Sequence, residues 1–478
     1  MKRLLWIPLI VLLASCATRP ERLYLTDWTF DYQGKLYPAT VPGFIHTDLM
    51  ANGLIPDPFY GTNEDSVQWV VDTPWVYHYR TFVSLKDLPK GDSLWLVFEG
   101  LAGWVYVADV WIDKYGGFAP RDYLANNMFV EHVIPLDMTR DPFVYSEGGA
   151  DTLGIVLNFL IHSLAEADEY SEKEYGIPLP DRRAFTRIAP YQQGWDWGPK
   201  LPTCGIWKPV YITNKRPTTQ NTPTIPNTPK VELRQEQDSI GQSFTFFRDG
   251  KPFFVKGANW IPVHSFPVLD SANKARYRHL LCSAKEAGFN MLRVWGGGIY
   301  EHDYFFDLCD SLDLMVWMDF NFSTMLYPDD SLMLESIKEE AYQNVRRIAK
   351  HPCVVLWCGN NEVKNGWEDW GWQDVYHWTP EQRARLQHGI DTIFGYSDYS
   401  NYSDYSILAL AVRDCDPLHR PYITTSPLYG WGHPECVTHG DSHYWGVWWG
   451  EEPFEMYMEK TGRFMSEYGF QSYPMIST

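Results

Sequence analysis

Up to about residue 215 the chain reads as short apolar stretches broken by polar turns. The runs TPWVYHYRTFVSL, SLWLVFEGL, VYVADVWID, TLGIVLNFLI and KPVYIT are rich in β-branched and aromatic residues and are separated by Gly, Asp and Pro. Strands of this kind without helical runs between them predict an antiparallel sandwich or jelly roll over residues 17–215. From Phe244 the period changes. FFVKGAN predicts a strand, ARYRHLLCSAKEAGF an amphipathic helix and NMLRVWGGG the next strand. HDYFFDLCDSLD, MVWMDF, SLMLESIKEEAYQNVRRIAKH and CVVLWCGNN continue the alternation. A βαβ rhythm implies a parallel sheet, and a (β/α)8 barrel fits it best. YITTSP, the segment around HYWG, and RFMSEYG bring the strands to seven, with no eighth in view. The predicted architecture is therefore a multidomain β plus α/β chain, with a jelly-roll sandwich followed by an incomplete (β/α)8 TIM barrel over 239–478. The Pro-, Thr- and Asn-rich run RPTTQNTPTIPNTPK (216–230) predicts an extended linker, taken to 238. The tandem YSDYS within 395–407 reads as a local duplication in a surface loop.

Charge narrows the function classes. A net charge of −20 over 478 residues disfavours nucleic acid and anionic membrane surfaces and suits a neutral substrate. The 22 Trp and 30 Tyr are mostly packing residues, with a minority available as flat platforms for sugar rings. The N-terminus MKRLLWIPLIVLLASC has a basic start, Lys2 and Arg3, then an apolar stretch from Leu4 to Leu13, too short to span a bilayer. Leu13-Ala14-Ser15-Cys16 resembles a bacterial lipobox. The expectation is a signal peptide over 1–16, acylation of Cys16, and an exported lipoprotein, periplasmic or outer-membrane associated, touching membrane through that anchor alone. A plain signal peptide containing a Cys is the alternative. The other seven Cys have neither zinc-site nor disulfide-framework spacing, and Cys353 and Cys358 read as small buried apolar residues.

The candidate chemistry lies in two apolar runs that each stop at a Glu. VVLWCGNNE ends at Glu362 and RFMSEYGFQS carries Glu467, 105 residues later. Buried parallel strands deliver carboxylates to a barrel mouth in this way, and two such carboxylates are the minimum equipment for cleaving a glycosidic bond. In that reading Glu362 is general acid then base, Asn361 binds the hydroxyl at C2, and Glu467 is the nucleophile. The alternatives are a helix cap for Asn360–Glu362 and a strand-end salt bridge for Glu467. A retaining pair would stand about 5–5.5 Å apart. Gly296-Gly297-Gly298 lacks the G-x-G-x-x-G spacing of a dinucleotide loop and reads as a tight turn bringing Trp295 to the pocket. His439-Gly-Asp441-Ser-His443 carries two His four apart, but Gly440 argues against the helix a metal pair would need. Lining a sugar pocket with His443, Tyr444, Trp445 and Trp448 fits better. Trp195-Asp196-Trp197-Gly198-Pro199 is a rigid tip that either packs between domains or reaches over the barrel to a sugar hydroxyl.

Taken together, FEGL, GWDWGPKLPTCGIWKPV, KGANWIPVHSF, NMLRVWGGGIYEHDYFFDLCD, HPCVVLWCGNNE, GDSHYWGVWWG and RFMSEYGFQS resemble glycoside hydrolase family 2, and WCGNNE with SEYGFQS resembles its β-mannosidase branch. The resemblance implies Glu362 as acid/base and Glu467 as nucleophile. It implies Asn361, Trp295, Trp195, Asp196, Trp370 and Trp445 around the terminal sugar, and retaining hydrolysis of non-reducing terminal β-D-mannose from a glycan, with neither cofactor nor metal. The chain departs from the family pattern in three ways. The linker stands where the family has an immunoglobulin-like domain, and no eighth strand follows the nucleophile. His264 and Met318 stand where the family usually has Asp and Gln. The expectation is a truncated family member. Two other readings remain: an impaired relative that at most binds glycans, and a galactoside or glucuronide specificity.

Overall fold

The structure is a computed structural model, which describes residues 21–72, 76–91, 93–111, 126–136, 152–160, 175–217, 230–395 and 405–470. Cys16, the expected leader over 1–16 and most of the YSDYS repeat lie outside these residues. In the N-terminal region the strands Arg22–Tyr24, Val210–Thr213, Leu94–Phe98 and His132–Leu136 form one antiparallel sheet in that order. A second antiparallel sheet holds Lys35–Thr40, Asp27–Tyr32, Val76–Ser84, Thr152–Leu160 and Trp104–Trp111. Phe30, Tyr79, Leu96, Phe98 and Ile155 are buried in the shared core, as the alternation of apolar and polar positions requires. The sandwich is not free of helix, however. Ile45–Ala51 is helical, and its Asp48 accepts hydrogen bonds from the Tyr79 hydroxyl (2.7 Å) and the Thr40 amide (2.7 Å). At seven residues it carries too little periodicity to register in the sequence and depends on tertiary packing.

The second region is a parallel barrel sheet. We number its strands β1 (Gly257–Trp260), β2 (Met291–Val294), β3 (Met315–Asp319), β4 (Val354–Cys358) and β5 (Tyr422–Ile423), paired in that order. β6 (Asp441–Tyr444) and β7 (Phe464–Tyr468) form a further parallel pair. The helices α1 (Ser271–Glu286), α2 (Asp303–Leu312) and α3 (Ser331–Ile348) follow the first three strands. Asp270 and Asp330 cap α1 and α3 by accepting from backbone amides of the first turn. α3 buries Met333, Ile337, Ala341, Val345 and Ile348, a stripe at helical spacing.

Strand side chains divide by parity. Leu292, Val294, Val316 and Met318 join the large core, whereas Met291, Met315, Trp317 and Cys358 form a separate cluster inside the barrel. The inner cluster is completed by Phe244 and Phe246, from an antiparallel element of strands Val231–Arg234, Thr245–Arg248 and Lys251–Pro252. Phe244 stacks on Trp317 with centroids 5.7 Å apart and meets Phe464 at 5.1 Å. Residues 231–234 therefore belong to a plug under the barrel, not to the linker that the Pro/Thr composition extended to 238. Among the described residues no backbone ladder joins β7 to β1. The Asn259 amide donates to the Ser466 carbonyl across this seam at 3.1 Å, and Gly257, Ala258 and Asn259 are exposed.

Candidate active site

The turn after β2 builds one wall. A Cβ on Gly297 would lie 1.8 Å from the Trp295 ring, so only glycine lets that ring fold back over its own turn. On Gly296 a Cβ would meet the Phe322 carbonyl oxygen at 2.5 Å, while its amide donates to Asp319 Oδ2 at 3.1 Å. Trp295 is thereby held edge-to-face against Trp195 (4.8 Å) and Trp197 (5.5 Å) from the sandwich. The Trp195–Pro199 tip thus both packs against the barrel and borders the cavity.

β4 delivers Glu362. Asn361 donates its amide to the Phe322 carbonyl (2.9 Å), and Glu362 donates its amide to the Ser426 carbonyl (2.8 Å), so the strand end is gripped from both sides. Glu362 adopts φ +63°, a left-handed conformation uncommon outside glycine and a form of strain that clusters at functional sites. The helix cap of the alternative reading is supplied by Asn360, whose Oδ1 accepts from the Val363 amide at 3.0 Å, while the Glu362 side chain makes no cap bond. Its carboxylate turns inward instead, accepting from Asn361 Nδ2 (3.2 Å) and Thr324 Oγ1 (3.4 Å). Burial pushes its carboxyl up to about 7, against the opposing pull of Arg293 and these hydrogen bonds.

β7 delivers Glu467 opposite His443 of β6, where a register shift after Ser442 brings the two into line. An oxygen of Glu362, an oxygen of Glu467 and a nitrogen of His443 all lie within 4.8 Å of one another. His443 Nδ1 is 2.9 Å from Glu362 and 3.4 Å from Glu467. Burial drives the imidazole down to about 4, so it is neutral. Arg293 and the Ser426 hydroxyl face Nε2, while Nδ1 faces the carboxylates. Burial raises the Glu467 carboxyl, while His443 and Arg293 pull it back.

The sequence reading missed the centre of this network, Arg293. Its guanidinium donates to Glu467, to Asn361 Oδ1 (2.8 Å), to Asn259 Oδ1 (3.0 Å) and to both oxygens of Asp319 (2.7 and 3.3 Å). Burial alone would lower its pKa, but Asp319 and Glu467 more than offset that and raise it. A periodic signal existed. Arg293 is a charged residue in an otherwise apolar run, MLRV, whose four positions are all buried.

The carboxylates floor a cleft of about 630 Å³ lined mainly by indole rings, within the range of ligand sites. Trp195, Asp196, Trp295, Asn361, Trp370 and Trp445 all border it, joined by Trp431 and Trp449, which sequence reasoning did not assign. Three expectations need correction. Tyr444 points away. Its ring packs on Tyr457 (6.0 Å) and its hydroxyl donates to Glu452, because it follows His443 on a strand and must face the opposite side. His443 does not line the cavity either and lies buried against the two carboxylates. Trp448 likewise packs away, on Phe470 at 4.9 Å. The His439/Asp441/His443 set is dispersed. His439 packs on Tyr429 (5.3 Å), and Asp441 Oδ2 accepts from the Ser426 and Ser466 hydroxyls (both 2.7 Å). Glu362, His443 and Glu467 are spaced closely enough to hold a metal ion, but the Arg293 guanidinium already occupies the cationic position beside Glu467.

A sandwich packed on a parallel barrel, with two carboxylates at the strand ends under an indole-lined cleft, is a glycoside hydrolase scaffold, and the chain is similar to glycoside hydrolase family 2 in its sandwich and to β-mannosidases over most of its length. Residues 28–208 match the family model described as glycosyl hydrolase 2 galactose-binding domain-like. The relatives it resembles are β-mannosidases. The chain is 29% identical to β-mannosidase B of Emericella nidulans, covering 94% of this chain and 62% of that one. It is 28% identical to β-mannosidase of Bos taurus, covering 98% and 64%. The crystal structure of β-D-mannosidase from Dictyoglomus thermophilum superposes with a TM-score of 0.76 at 30% identity, covering 96% and 64%. The chain thus spans about 62–64% of the length of these relatives. A Parabacteroides merdae β-glucuronidase shares the fold, with a TM-score of 0.52 at 11% identity.

Proposed function

We propose that this chain hydrolyses terminal β-D-mannosides with retention of configuration. The observation that carries the reading is the pairing of Glu362 and Glu467, with an oxygen of each within 4.8 Å of the other. That spacing suits the short separation of a retaining pair better than the wider one of an inverting pair. The environments support a division of labour. Glu362, held near 7, keeps a proton for the leaving oxygen at neutral pH and can later take one from water. Glu467, ion-paired with Arg293, is held as the carboxylate that attacks the anomeric carbon. Asn361 offers an amide at the floor, with its carbonyl fixed by Arg293 and its nitrogen fixed by Ser323 and Glu362. Similarity to β-mannosidases supports mannose over other sugars.

The test uses an aryl β-mannoside with matched galactoside and glucuronide controls. Selective mannoside turnover that disappears in Glu467→Ala is expected. Equal or greater turnover of a control sugar would replace the specificity. The lack of a backbone ladder between β1 and β7 among the described residues favours a second reading, a glycan-binding relative without turnover, because loosely held catalytic groups lose most of their rate. Binding of β-mannan with no hydrolysis would select it. We also propose export as a lipoprotein acylated at Cys16, which an unmodified N-terminus by intact mass would refute.

A further inference from the structure

Arg187 belongs to the sandwich, yet it is 1% exposed and its guanidinium lies inside the barrel region. It pairs with Glu340 of α3, Nε donating to Oε2 at 2.9 Å and Nη2 to Oε1. Glu340 is also fully buried and accepts from the Tyr300 hydroxyl (2.8 Å) and from Asn127 of the sandwich (2.8 Å). Arg187 does more than satisfy this carboxylate. Its Nη2 donates to the Asn321 carbonyl at 2.9 Å, and the guanidinium lies 4.0 Å above the Phe322 ring. Asn321 and Phe322 open the loop after β3, and that loop holds the acid. The Phe322 carbonyl accepts from the Asn361 amide, Ser323 Oγ accepts from Asn361 Nδ2 (3.2 Å), and Thr324 Oγ1 donates to Glu362 (3.4 Å). The Thr324 amide donates back to the Asn361 carbonyl at 2.9 Å.

We propose that Arg187, held in place by Glu340, is a positioning residue for the general acid. The sandwich clamps the 321–324 loop, and the loop fixes the angle at which Glu362 meets the glycosidic oxygen. This rests on the glycosidase reading above. It gives the N-terminal domain a part in protonating the leaving group, separate from any contact with sugar. The guanidinium suits the task because it grips a carboxylate through two nitrogens, reaches a carbonyl and stacks on a ring at once, which a lysine cannot do.

The test compares kcat/KM for a phenyl β-mannoside, whose poor leaving group needs the acid, with that for a 2,4-dinitrophenyl β-mannoside, whose leaving group does not. Arg187→Lys in the full chain is expected to lower the first by about 10–100-fold, the scale of a misplaced catalytic group, and the second by less than about threefold. Asn127→Ala removes an amide that braces Glu340 without touching the 321–324 loop and is expected to show the same asymmetry at smaller size. It decides the matter if Arg187→Lys does not fold. Equal losses on both substrates, or no loss on either, would overturn the positioning role while leaving the function standing. No turnover of any aryl β-mannoside by the unaltered chain would remove the function and this role together.

Discussion

Replacing Arg293 with Met should be the most informative single change, because it separates an electrostatic hub from a merely packed one. Arg293 is 4% exposed, Asp319 0% and Glu467 7%, so the change strands two buried carboxylates without a cation. Breaking a buried ion pair costs about 3–5 kcal/mol, and about 2–4 °C in Tm accompanies each kcal/mol for a domain of this size, giving a loss of about 6–20 °C at pH 7. The pH dependence carries the sharper test. Burial already raises both carboxyls, and Arg293 holds them down. Without it their folded pKa values rise further above the unfolded values of about 4. The folded variant then binds more protons than the unfolded chain. Its stability falls as pH climbs above that point, by about 1.4 kcal/mol per pH unit for each group, until the folded pKa is passed. Thermal unfolding of variant and parent should therefore show a deficit that is large at pH 7 and shrinks towards pH 4.5. A deficit that is constant with pH would show that Arg293 acts through packing and would refute the reasoning.

Three other outcomes follow from the same geometry. Glu362→Gln should lower kcat/KM on a phenyl β-mannoside by about 10²–10⁴-fold. The parent's rate should fall as pH rises through about 7, where the Glu362 acid form is lost, and this limb should vanish from the variant's pH–rate profile. Gly297→Ala should displace the Trp295 ring and cost about 10–100-fold in kcat/KM, and an unchanged rate would mean that this ring does not shape the sugar site. Phe246→Ala, under the barrel, should cost about 3–5 kcal/mol of stability by chemical denaturation, while kcat/KM at 25 °C stays within about twofold because the Glu362–Glu467 network is at the other end of the strands.

Much of this was legible in the chain. The switch from period two to βαβ alternation placed the sandwich and the barrel, because each burial pattern is imposed locally by the element that carries it. Glu362 and Glu467 stood out because a carboxylate closing a buried apolar run is costly to desolvate and persists mainly where chemistry uses it. The glycine run was legible as a turn, although its purpose, room for the Trp295 ring, was not. The helix Ile45–Ala51, the plug strand Val231–Arg234 and the outward turn of Tyr444 were not legible, since each is decided by neighbours distant in sequence. Arg293 is the clearest case. Its five partners are Asn259, Asp319, Asn361, His443 and Glu467, on β1, β3, the end of β4, β6 and β7. The sequence by itself determined which residues could be acid and nucleophile, because strand ends and residue types are local properties. Only the tertiary structure decided that a buried arginine and a neutral histidine set their charges, because a pKa depends on what five separate strands bring within a few ångströms.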